Sequence, residues 1–503
     1  MNYNCFHPKA ALRICLHDRK LTALFCVVVV VFAGFFPLFV WSYLQNAWNF
    51  SRGTIQAEAA ALANTEAEAS RLRGLGEPVT VDELEDYYAI TDGAVDTTKL
   101  WAAAAGAFYG DAYDKDRAGV PLVDTSMQAV IPPPGDQWPE LLKAEQFLGR
   151  YQQQLDLIHS AARSGDVARF PTRFEDGLLM LMPEVHYLMK APAVLGLEAH
   201  VRAHRRDPGG VVDSMVANLA VAKCLDTFPN EVAQFVCASN YYRACQTLET
   251  LLPYANFSEE DLSRLDEALV RLRPEHGLRA ALLGQRVVGL HALEHPYQYL
   301  ETLTSEVVED ARRISPQQAR SFALFVPLVK ERDKWFFLRH TRILCDATKL
   351  PWPERFAEVE RAEQQWAVLA RESYEQAPDF DSVHGAASAD RVFLAHPLAN
   401  PLSLLFDVHA RAVSLHSLAR VAVAIQRHRL RHGRDPEILQ ELVPTFLASI
   451  PEDPFGQGPL RYVRDSTECR LYSVGKNRTD EGGDDNDIAF TVPIMSRNTD
   501  GED

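Results

Sequence analysis

His291, Glu294 and His295 spell His-x-x-Glu-His. Inverted zinc peptidases use this order to hold the metal between two imidazoles one helical turn apart, with a carboxylate to polarise the bound water. Glu358 or Glu360 would supply the third ligand of such a zinc-dependent hydrolase. Pro296 follows at once, and proline disfavours helical backbone at the residue before it, so the turn that would align the ligands is expected to end at His295. The plainer reading of the trio is a set of polar residues at a helix end. His200 and His204 form a second i, i+4 pair beside Glu198, but Arg202, Arg205 and Arg206 crowd the same turn. Cations repel a metal, and the segment reads instead as a cationic helix end before Asp207-Pro208-Gly209-Gly210. His428 and His432, among Arg427, Arg429 and Arg431, read the same way. Ser473 and Lys476 spell Ser-x-x-Lys without the Ser-Asp-Asn and Lys-Thr-Gly companions of that nucleophile.

Residues 475–487 crowd carboxylates and amides into one Gly-rich turn. Such side chains repel one another unless a hard cation joins them, and calcium, which takes six to eight oxygens on a flexible loop, suits the composition. The Asp-x-Asp-x-Asp-Gly order of an EF-hand is missing, and a solvated acidic turn without an ion has the same composition.

The elements that must position these groups are mostly helices. Thr80 with Glu83 makes a capping box for a short helix through Tyr88, and a further helix is expected over 97–112. From about 137 to 447 the pattern is helical almost throughout. Val212, Met215, Val216, Leu219 and Ala222 recur at helical spacing before the break at Phe228-Pro229-Asn230. Phe235, Ala238, Tyr242, Cys245, Leu248 and Leu252 share the face of the next helix, and Ser258 with Asp261 caps a third. Helices of this length joined by short turns pack as antiparallel hairpins, here expected as a solenoid-like stack without a fixed-period signature. Beyond His432-Gly433, Asp435 and Pro436 read as the N-cap and first residue of a short helix. Short strands follow at 460–463, 469–474 and 488–492.

The C-terminal segment carries a resemblance. Asp453-Pro454-Phe455-Gly456, Tyr462, Tyr472-Ser473-Val474-Gly475, Gly482-Gly483 and Asp487-Ile488 occur in the order found in the C-terminal half of type II secretion major pseudopilins. The likeness covers residues 432–488. It implies a small β module with a calcium-binding loop, whose ligands here would be Asn477, Asp480, Asp485 and Asp487. Asn477 stands where that family usually has Asp, which removes one negative charge from the site. The chain also lacks the family's prepilin-peptidase signature: its apolar run opens Arg19-Lys20-Leu21-Thr22 with no Glu at the fifth position. Assembly as a pilus subunit is therefore not expected. The rest of the chain is similar to uncharacterised bacterial membrane-anchored helical proteins.

No charge occurs between Lys20 and Arg52, and residues 21–40 supply twenty mostly apolar residues, enough at ~1.5 Å rise to cross a ~30 Å hydrocarbon layer. Trp41, Tyr43 and Trp48 follow where an interfacial aromatic belt belongs. Lys9, Arg13, Arg19 and Lys20 against Asp18 keep the N-terminus in the cytoplasm by the positive-inside rule. The run is longer than a signal-peptide core and no small-x-small site follows, so an uncleaved anchor is expected in the inner membrane, with the bulk periplasmic. The organisation expected is a cytoplasmic N-terminus (1–20), a transmembrane helix (21–43), a stalk and linker helices (44–135), a helical domain (136–434), a pseudopilin-like β module (435–495) and a frayed tail (496–503).

The 503 residues carry 51 Lys and Arg against 68 Asp and Glu, a net charge of −17, which argues against a nucleic-acid partner. With 47% hydrophobic residues the chain can bury a core. Neither a phosphate-binding Gly-rich loop nor a nucleophile elbow occurs. Five of the eight cysteines, Cys224, Cys237, Cys245, Cys345 and Cys469, lie beyond the anchor. Buried thiols are expected, Cys224 and Cys237 being the one pair that could face each other across a hairpin. The function expected is therefore a single-pass, membrane-anchored, extracytoplasmic helical scaffold or interaction protein, with possible protein partners and calcium as the one candidate ion.

Overall fold

The computed structural model describes residues 55–91, 93–126, 130–164, 167–298, 326, 329–375, 402–464, 468–484 and 486–493. The expected transmembrane segment lies outside them, and among the described residues no helix is long and apolar enough to cross a membrane. The architecture is mainly helical, with a three-stranded antiparallel sheet at the C-terminal end.

Helix α1 covers 55–74. It precedes α2 (Val81–Tyr88), α3 (Thr98–Ala105), α4 (Asp111–Asp116), α5 (Leu141–Arg150) and α6 (Gln152–Ser164). The central helices are α7 (Pro183–Leu188), α8 (Ala191–His204), α9 (Pro208–Lys223), α10 (Glu231–Leu251), α11 (Glu259–Val270) and α12 (His276–Glu294). Then come α13 (Lys330–Ala347), α14 (Glu354–Glu375) and α15 (Leu402–His432). Strands β1 (Arg461–Arg464), β2 (Glu468–Ser473) and β3 (Ile488–Pro493) close the described chain.

The helix starts are set by local chemistry. The expected capping boxes are present at Thr80 with Glu83 and at Ser258 with Asp261. The Asn230 side chain accepts from the amides of Val232 and Ala233, and Asp207 accepts from Gly210 with Pro208 in the first turn. The single helix expected over 97–112 is broken. The chain tightens into a 3-10 turn at Gly106–Phe108, and Gly110, at φ +93°, starts α4 in a new direction.

Helix α9 is buried around most of its circumference, and its Ala, Val and Ser side chains let α6, α8, α10 and α11 approach it from several sides. Consecutive helices α8, α9 and α10 pack on one another as hairpins. The 31-residue α15 then returns across α10, α11 and α12, so distant parts of the chain meet and packing is not confined to sequence neighbours. Where α12 crosses the 228–230 turn, a Cβ on Gly284 would stand 1.7 Å from the Pro229 carbonyl oxygen, so only glycine fits.

Residues 55–74, expected as a stalk, lie against the body. Leu72 and Val79 bury against Leu338 of α13, Glu68 pairs with Arg342 at 3.1 Å, and Glu58 accepts from the Glu331 amide at 2.9 Å. A carboxylate at that first turn complements the positive end of α13.

The sheet runs β1-β2-β3, with Tyr462 opposite Leu471 and Leu471 opposite Phe490. The strands fall within two residues of the expected ones. Ile488, Phe490 and Val492 alternate inward, and one hydrophobic core runs from Leu84 through the helices to Val492. The sheet is tied to the helices by polar contacts as well. Arg429 donates to the Pro493 carbonyl at 2.6 Å, and the Thr491 amide on the β3 edge donates to Glu249 of α10 at 2.8 Å. Asp435 does not cap a helix. It is buried and paired with Arg429, and a 3-10 turn forms later, at Leu439–Leu442. A buried arginine needs a carboxylate more than a short exposed helix needs a cap.

Candidate functional site

The C-terminal module is organised around Asp453, whose side chain is fully buried. Its Oδ1 accepts from the Phe455 amide at 3.0 Å and the Ser473 hydroxyl at 2.6 Å. Its Oδ2 accepts from the Val474 amide and from Arg461 Nη1, both at 3.0 Å. This one carboxylate therefore joins the 453–456 turn to β1 and to the end of β2. Gly456 makes room for it, since a Cβ there would come within 2.7 Å of Oδ2. Gly475, at φ +65°, lets the loop leave β2 against the Asn486 carbonyl, which a Cβ would approach to 2.2 Å.

The loop carries the sequence-derived cation ligands, and the structure spreads them. Asp480 accepts from Arg461 Nε at 2.8 Å, Tyr472 OH at 3.1 Å and the Gly482 amide at 3.1 Å. The Gly482 amide is the main reason its carboxyl is held below the usual range. Asp487 Oδ2 accepts from the amides of Gly483 at 2.7 Å and Glu481 at 3.1 Å, while its Oδ1 is buried without a hydrogen-bond partner. Asn477 donates to Glu481 at 3.0 Å and accepts from the Thr479 amide at 3.2 Å. Asp485 lies outside the described residues. Among the described residues no group of three or more His, Cys, Asp or Glu is placed to hold a metal. Hydrogen bonds and arginines close the loop. Lys476 and Arg478 reach from it to Asp407 of α15 at 2.5 Å and Glu360 of α14 at 2.6 Å. Phe455 stacks on Phe356 beneath them at 5.4 Å.

The His-x-x-Glu-His trio stands where Pro296 dictates. Helix α12 ends at Glu294, and His295 is already non-helical at φ −116°, ψ 51°. The two imidazoles lie 4.5 Å apart beside a cleft of about 390 Å3. Glu294, the residue that would polarise a zinc-bound water, binds Lys330 at 2.9 Å and Lys334 at 2.7 Å. Burial pushes its carboxyl up, but hydrogen bonds from Lys334 and Lys330 outweigh this and hold it down at about 2. Glu358 and Glu360 are engaged elsewhere, by Arg361 and Arg478.

The other histidine pairs diverge. His204 bonds to the Pro132 carbonyl at 3.1 Å and packs on Trp138, whereas His200 is buried without a hydrogen bond from Nδ1. Glu198 belongs to a different group. It accepts from Ser214 at 2.8 Å and Arg202 at 2.7 Å and meets His159 Nε2 at 2.9 Å, all within the body. His159 and Ser214 do not contact each other through this carboxylate in the manner of a nucleophile and its base, because Glu198 sits between them. His428 Nδ1 lies 3.1 Å from the Arg434 carbonyl. Ser473 donates to Asp453 and Lys476 pairs with Asp407, so the Ser-x-x-Lys residues serve separate contacts. The five described cysteines are free and buried, and burial pushes the Cys224 and Cys237 thiols well up.

The inward role of Asp453 was not evident from its motif, and the burial of His200 carried no sequence signal. No family model, curated protein or solved structure shows significant similarity to the chain.

Proposed function

We propose that the chain is a single-pass, membrane-anchored, extracytoplasmic helical scaffold for protein partners, closed at its C-terminal end by a pseudopilin-like module that serves as a rigid cap. The observation that carries this reading is the attachment of the module. Its sheet continues the helical core through Phe490 and Val492, and its loop is pinned to α14 and α15 by Arg478 and Lys476. A module so joined stiffens the end of the helical body and has little freedom to polymerise as a separate head. The uncharged run at residues 21–40 supports the anchor.

Calcium belongs to the same reading as a ligand of the loop at Asp487, whose buried Oδ1, without a hydrogen-bond partner among the described residues, supports it. The loop's own hydrogen bonds already hold its shape, so the ion adds stability by linkage without being needed for folding. Membrane extraction at alkaline pH tests the anchor: full-length chain stays with the bilayer, and recovery in the soluble wash defeats the reading. Melting the protein in calcium and in chelator tests the ion. A rise of a few degrees with calcium is expected, and superimposable curves remove the ion from the account.

A further inference from the structure

Helices α8 and α10 enclose a cleft of about 240 Å3, which of the residues singled out in the sequence includes only His200. They are drawn together at Gly196, where a Cβ would stand 3.0 Å from Thr247 Oγ1. His200 forms part of the wall. It is only 5% exposed, and its Nδ1 is buried without a hydrogen-bond partner among the described residues. A buried polar atom without a partner is costly to keep, and this one belongs to a residue in the wall of the cleft. Burial, with His204 nearby, pushes the imidazole down to about 4, and the ring at neutral pH offers a donor and an acceptor but no charge.

Arg243 supplies the charge. It is half-buried in the same wall, and among the described residues no carboxylate pairs with it. None of the nine residues lining the cleft is acidic, on a chain of net charge −17. The two threonine hydroxyls are left as acceptors. The Thr247 hydroxyl donates to the Arg243 carbonyl at 3.0 Å and the Thr250 hydroxyl to the Gln246 carbonyl at 2.9 Å. Gln246 gives one N–H of its Nε2 to Tyr242 OH at 2.7 Å, which leaves the second N–H and the Oε1 acceptor. Leu122 and Pro192 contribute apolar surface to the same lining.

We propose that this cleft binds a small hydroxycarboxylate, with the carboxylate on the Arg243 guanidinium and the His200 ring, and the hydroxyl donating to Gln246 or Thr250. A guanidinium grips a carboxylate through two parallel hydrogen bonds, and a hydroxyl matches the surplus of acceptors beside it. The site is separate from the C-terminal loop and does not depend on the scaffold reading.

The test is a saturation-transfer NMR titration of the full-length chain in detergent with lactate. Lactamide, which lacks the charge, and propionate, which lacks the hydroxyl, serve as competitors, and Arg243→Gln as the variant. Lactate is expected to bind, with lactamide and the variant each weaker by about tenfold or more and propionate weaker by several-fold. The melting curve of the variant confirms that it is folded, because Arg243 holds no other side chain. No lactate signal, equal binding of lactamide or propionate, or unchanged binding by a folded Arg243→Gln protein would each overturn the proposal.

Discussion

Glu77 Oε2 accepts a 2.6 Å hydrogen bond from Arg286 Nη1 across 209 positions of sequence, with both side chains shut off from solvent. The other Glu77 oxygen takes Arg279 Nη2 at 2.6 Å. This carboxylate fastens the link between α1 and α2 to the middle of α12. Arg286 is fully buried, and among the described residues its Nε and Nη2 have no hydrogen-bond partner, so Glu77 is what compensates its charge.

Replacing Glu77 by Gln leaves a buried guanidinium without a counter-charge, which costs about 3–5 kcal/mol. Chemical denaturation followed by tryptophan fluorescence should show that loss. Arg286→Met, which removes the buried charge, should restore much of it in the double variant. A Glu77→Gln protein as stable as the parent would show that the pair does not hold the segment.

Asp453→Asn breaks the charged contact with Arg461 and disturbs the bonds from Phe455, Ser473 and Val474. Its effect should be local first. Hydrogen exchange is expected to accelerate across β1–β3 and the 474–484 loop, while amides of α9 and α10 keep their protection. Equal acceleration in α9 would mean that sheet and helices open together, contrary to a cap that frays from its own end.

His200 and His409 set an acid limit. Burial holds both imidazoles at about 4, opposed at His409 by the Leu405 carbonyl 2.8 Å from its Nδ1. In the unfolded chain they titrate near 6.5, so the unfolded state binds more protons between the two values. Their contribution is therefore whole above about pH 6.5 and declines as pH falls toward 4. Each should cost roughly 2 kcal/mol at pH 5 relative to pH 8. Denaturation midpoints in that interval should fall steeply for the parent and less steeply for His409→Asn. Parallel slopes would contradict the assignment.

Glu294 at neutral pH is a carboxylate held by two ammonium groups, a poor base for water. Purified full-length protein is expected to carry zinc far below one equivalent, and His291→Ala should leave that figure unchanged. One tightly held zinc per chain, lost in the variant, would reopen the hydrolase alternative.

What the sequence made legible was local. Ser258 and Thr80 act on amides three residues away, and Pro296 acts on its own neighbour, so their effects can be read without a fold. The strands at 461–464 and 488–493 were visible in alternation. Asp435 was misread because its local pattern favours a cap, whereas the fold presents it with Arg429, buried at the end of α15. Glu77 with Arg286, and Glu58 with the first turn of α13, join segments hundreds of residues apart and leave no periodic trace. The acidic loop was read as a cation site from composition and resemblance, but the arginines that pair with Asp480 and Asp484 come from β1 and β2, outside the loop's own sequence pattern.

The central claim is a body held outside the cytoplasm by an N-terminal anchor. Protease treatment of intact spheroplasts, followed by blotting for an N-terminal tag and for the C-terminal module, tests it most directly. The account predicts that the module is digested while a short tagged fragment stays protected. A full-length chain that resists protease until the membrane is broken would contradict it.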